Sequence, residues 1–61
     1  MTRGEAINDR ARKGNALAQA ELHWACTTPR DPKGRYAAGV ALANAHYAYE
    51  EAQRVERSLK P

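Results

Sequence analysis

Phenylalanine is absent from this chain, cysteine occurs once, and one tryptophan with three tyrosines makes up the whole aromatic content. A 61-residue chain so poor in bulky side chains cannot build a thick hydrophobic core, and chains of this size usually add a disulfide, a metal or a partner. The lone Cys26 excludes an internal disulfide and fits a reduced thiol in the cytoplasm. No apolar run approaches the ~20 residues that a membrane span needs. The opening Met1-Thr2-Arg3-Gly4-Glu5 leads into no apolar signal region, so a soluble cytoplasmic protein with no membrane partner is expected.

Catalytic and metal-binding patterns are equally scarce. There is no Gly-rich phosphate loop, no zinc-ligand spacing and no Cys-x-x-Cys. His46 and Glu50 share one helical face, with Glu21 near them in register. A di-iron bundle, however, needs a Glu-x-x-His element on each of two helices, and alanine stands three positions before His23. His23 and Cys26 lie one turn apart without a third group to orient them. No cofactor, no metal and no enzymatic activity are expected.

What the chain does hold is alanine, and with it a strong helical preference. Thr2-Arg3-Gly4-Glu5 has the form of a capping box, so a first helix is expected over about residues 3–27. Thr27-Thr28-Pro29 stops it, because the residue before proline is forced out of the helical region. After a loop of about residues 28–31, Asp31 as N-cap and Pro32 at the first helical position restart the chain. The second helix should run over about residues 32–59. The whole is one all-α domain, an antiparallel two-helix hairpin, with each helix roughly 35–42 Å long.

Spacing then suggests how the helices face each other. Ala38, Ala41, Ala45, Ala48, Ala52, Val55 and Leu59 recur at steps of three and four, as in a heptad seam. On the first helix Gly4, Ile7, Ala11, Gly14, Ala18, Glu21 and Ala25 do the same. Laid antiparallel, Ala25 meets Ala38, Ala18 meets Ala45, Gly14 meets Ala48 and Ala11 meets Ala52. The expected packing is therefore an Alacoil, in which small facing residues let the axes approach closely. Glycine in mid-helix costs roughly 1 kcal/mol against alanine, so Gly14 is assigned to that close approach.

The larger apolar groups lie beside this seam. Leu17, Trp24, Ala37, Val40 and Tyr47 form one flank, and Leu22, Leu42 and Tyr49 the other. The first flank is the expected partner interface, because a contiguous aromatic patch on so small a protein marks a contact surface. Dimerisation into a four-helix bundle is the simplest closure, and docking on a larger protein or assembly would serve equally.

The formal charge of +3 is modest, but its distribution is uneven. Arg3, Arg10, Arg12, Lys13, Arg54, Arg57 and Lys60 gather where the termini meet, which offers nucleic acid a set of candidate phosphate contacts. Arg30, Lys33 and Arg35 surround the loop, and the middle is acidic through Glu21, Glu50 and Glu51. The functional expectation is a small non-catalytic interaction module, with a dimeric nucleic-acid-binding regulator as the alternative. In architecture alone a pair of such hairpins is similar to the Rop family of RNA-binding proteins, with no matching run of residues. The abundance of alanine and arginine suits a GC-rich genome, such as that of an actinobacterium or its phage.

Overall fold

The computed structural model describes residues 1–59 and contains two helices, α1 (Arg3–Ala25) and α2 (Pro32–Ser58), packed side by side as a hairpin. The start of α1 is fixed as the local chemistry requires. The Glu5 amide donates to Thr2 Oγ1 at 3.2 Å, and the Thr2 amide donates to Glu5 Oε1 at 3.0 Å. Two amides that a helix leaves orphaned are thereby satisfied. The Thr2 amide, and after it the Thr2 hydroxyl, hold the Glu5 carboxyl below its ordinary pKa.

α1 ends at Ala25, two residues before the expected limit, with Cys26 as its cap. Thr27 draws the chain away: its hydroxyl donates to the Trp24 carbonyl at 2.7 Å and its amide reaches the same oxygen at 3.1 Å. A turn closed by the Asp31 amide on the Thr28 carbonyl leads into α2, where Asp31 Oδ1 accepts from the Gly34 amide at 3.1 Å. A Cβ on Gly34 would stand 2.3 Å from Asp31 Oδ2, so the glycine makes room for the capping carboxylate.

The face that α1 turns to α2 differs from the expected one. Its covered residues include Ala6, Asp9, Arg10, Lys13, Leu17, Ala20 and Trp24, whereas Ala11 and Ala18, expected on the seam, are exposed together with Gly4, Ile7, Glu21 and Ala25. Only Gly14 of that expected stripe is partly covered. The helix is rotated by about one residue, or about 100°. The physical reason is area: covering Leu17 and Trp24 removes more apolar surface from water than covering alanines.

On α2 the stripe lies closer to expectation. Ala38 and Ala52 are buried and Ala45, Ala48, Val55 and Leu59 half-buried, but Ala41 is exposed and Leu42 takes its layer. The seam thus mixes large and small residues and is not the all-small ladder of an Alacoil.

Close approach occurs instead where a ring lies over a glycine. A Cβ added to Gly14 would stand 3.1 Å from Tyr49 Cε1, and one added to Gly39 would stand 3.1 Å from Trp24 Cζ3. Among the described residues no glycine has positive φ, so these two supply space and not backbone freedom. Both contacts keep the offset that sets Ala25 level with Ala38. The axial register of the hairpin therefore follows the loop even though the rotation of α1 does not follow the small-residue spacing.

The resulting molecule is a rod with extents of 49 × 13 × 12 Å and a radius of gyration of 14.2 Å, against about 10.5 Å for a compact chain of this length. Its buried core consists of Ala6, Leu17, Ala38 and Ala52.

Candidate functional site

Two helices in contact leave most of each cylinder uncovered, and the chain places large apolar groups there. Tyr36, Val40 and Tyr47 of α2 are 75%, 43% and 65% exposed. With the small Ala43 they recur at steps of four, three and four, which sets all of them on one helical face. Tyr47 lies nine residues from the buried Ala38, half a turn round α2 from the seam. This stripe therefore points directly away from α1.

Near the loop the stripe becomes concave. Trp24 of α1 crosses to lie against Gly39, and the Arg35 guanidinium stands 4.3 Å above the centre of its ring. A cation over an indole face is attracted by the ring quadrupole and holds the ring in place. Between this pair and the outer stripe lies an open groove of about 600 Å³. The connection contributes Pro29 to it, and α2 contributes Pro32, Arg35, Tyr36, Gly39, Val40 and Ala43. Three proline and glycine positions leave little side chain in the groove, while Trp24 and Tyr36 give it aromatic surfaces.

Of the expected partner residues, Trp24 and Val40 are brought together in this groove, and Tyr47 continues the same outer face. Ala37 is exposed but lies toward the opposite flank of α2 from Gly39. Leu17 is a correction: it is only 9% exposed and fills the hairpin seam, so no partner can reach it. Nor does Tyr47 lie opposite it. Sequence reasoning passed over Tyr36, Ala43 and Gly39, although the 36-40-43-47 spacing was there to be read beside the alanine seam.

A second apolar stripe runs along α1. Ile7, Ala11, Ala18, Leu22 and Ala25 are all exposed. Leu22, at 67%, is the most exposed large hydrophobic residue on that helix.

At the open end of the hairpin three of the six described basic residues, Arg10, Lys13 and Arg54, are engaged by acids. Arg10 Nε is buried against the Glu56 carboxylate of the other helix, a close ionic contact without hydrogen-bond alignment. Lys13 pairs with Asp9 at 3.1 Å, and Arg54 donates to Glu51 Oε2 at 2.7 Å. Arg3, Arg12 and Arg57 are exposed. Lys60 lies outside the described residues. His46 Nδ1 stands 3.2 Å from Glu50 Oε1, and His23 and Cys26 are exposed. Among the described residues no three His, Cys, Asp or Glu side chains come together as a metal-holding group, and no helix is long and apolar enough to cross a membrane.

Comparison with family models, with curated proteins and with solved structures finds nothing that matches this chain.

Proposed function

We propose that this protein is a non-catalytic helical interaction module whose outer apolar surface completes its core on another protein. Surface area carries the reading. The hairpin exposes 4716 Å², whereas a compact monomer of 6.8 kDa exposes about 3,950 Å². The surplus of roughly 750 Å² is close to the ~800 Å² that each partner contributes to a standard protein–protein interface. It coincides with a core of one leucine and three alanines, while Tyr36, Tyr47, Leu22 and the Trp24 groove face outward.

A thermal melt followed by far-ultraviolet circular dichroism at low micromolar concentration tests this. The expected result is a low, shallow transition, because a core of one leucine and three alanines supplies little of the usual stability. A sharp, concentration-independent transition above ~60 °C, beyond much of the usual mesophile range, would show that the hairpin is complete alone and would overturn the reading.

Nucleic-acid binding through the open end has less support. Arg10, Lys13 and Arg54 are already paired with Glu56, Asp9 and Glu51, which cancels three of the cations on which that reading draws.

A further inference from the structure

We infer that the partner is a second copy of this chain, bound antiparallel along α2, with Tyr47 of each copy seated in the Trp24 groove of the other. The inference rests on the interaction-module reading and names its occupant.

An isologous helix pair requires a stripe that reads the same in both directions about its two-fold axis. Tyr36, Val40, Ala43 and Tyr47 satisfy this about the point midway between Ala41 and Leu42. Antiparallel pairing there sets Tyr36 level with Tyr47 of the second copy, and Val40 level with its Ala43. The groove is lined by α2 residues from Pro32 to Ala43, so a Tyr47 that arrives at the level of Tyr36 enters it. With Trp24 lying over Gly39, the small Ala43 leaves space beside that ring for the incoming one.

Charge gives the second argument. The same axis carries Lys33 to the level of Glu50 in the second copy, and Arg35 to within about two residues, or roughly 3 Å of rise, of that glutamate. Lys33 and Glu50 are both exposed, and Arg35 stands at the rim of the groove over Trp24. The basic loop end of one copy thus covers the acidic middle of the other, twice over. A parallel pairing would instead set like charges level along the whole stripe, which disfavours it.

Area is the third argument: the surplus exposed by one chain is about what one protomer gives to a stable dimer. Because the stripe and the seam lie on opposite sides of α2, the two α2 helices would stand at the centre with an α1 outside each. The dimer is then a row of four helices and not a square bundle.

Sedimentation equilibrium over a concentration series, with the intact chain, provides the test. The wild-type chain should dimerise, and Tyr47→Ala should weaken association by at least about thirtyfold while leaving the helical signal of the monomer intact. Lys33→Glu should weaken it several-fold through like charges, and the double variant Lys33→Glu/Glu50→Lys should restore it, because each reversed charge again meets its opposite across the axis. A dimer indifferent to Tyr47→Ala, or a double variant no better than the single one, overturns this pairing. A strict monomer that melts low and shallow also overturns it but leaves the module reading standing. A strict monomer with a sharp, high transition removes both.

Discussion

Leu17 and Leu22 are the same residue type, five positions apart on one helix, with exposures of 9% and 67%. Truncating each to alanine separates the observed rotation of α1 from the one that small-residue spacing suggests. Full burial of a leucine side chain is worth about 1.5–3 kcal/mol, so Leu17→Ala forfeits roughly 2 kcal/mol before any cavity forms. The cavity adds to this, because the other buried residues are alanines and none is large enough to fill the gap. A total of ~2–3 kcal/mol corresponds to a fall in Tm of about 10–20 °C for a chain of this size. Leu22→Ala removes a side chain that is mostly in water and should cost no more than ~0.5 kcal/mol, or about 4 °C. Thermal melts at one fixed concentration, where sedimentation shows a single species, give the comparison. Equal shifts, or a larger one at Leu22, would refute the placement of Leu17 in the seam and return Ala18 and Ala11 to it.

Other outcomes follow from the same geometry. Ala52→Leu should destabilise the hairpin by ~1–3 kcal/mol, since the site is 2% exposed, whereas the exposed Ala18→Leu should change the monomer's Tm little. At Gly14 the gain in helix propensity, about 1 kcal/mol, should exceed the cost of moving the half-buried Tyr49 ring by a few tenths of an ångström, so Gly14→Ala should raise Tm modestly; a lower Tm would show that the ring cannot yield. Thr2→Ala should cost ~1 kcal/mol through the lost cap. Because the folded Glu5 pKa is depressed, its contribution is present above the ordinary value of 4.5 and is lost as pH falls below it through the folded value. Glu5→Gln should remove that part of the acid dependence, which a series of melts between pH 6 and pH 3 would reveal.

Local signals in this chain were legible because they involve neighbouring residues. The Thr2–Glu5 box, the Asp31 cap and Pro32 at the first helical position each act within four residues, and they fix where both helices begin. The one local surprise, the early end of α1, comes from the Thr27 hydroxyl competing for the Trp24 carbonyl. Orientation was less legible. α1 carries two heptad-spaced stripes one residue apart, and spacing alone cannot rank Ala11-Gly14-Ala18 against Arg10-Lys13-Leu17. The ranking depends on what the opposite helix offers, and Gly39 offers Trp24 a flat bed that the sequence of α1 does not reveal. On the outer face of α2, the palindromic stripe Tyr36-Val40-Ala43-Tyr47 is as regular as the alanine seam, so spacing alone does not rank the two.

The ring-over-glycine contact beside the loop also sets an order of events in folding. Trp24 and Gly39 are separated by fifteen residues along the chain, and Arg10 and Glu56 by forty-six. Closing the longer loop costs about 1 kcal/mol more in chain entropy, so the helices should meet first at the loop and zip toward the termini. Local contacts of this kind favour fast folding, on the microsecond-to-millisecond scale of helical bundles. Trp24 thus stands where the zipper starts, and its emission after a temperature jump should reach its native value before helical absorbance at the open end is complete.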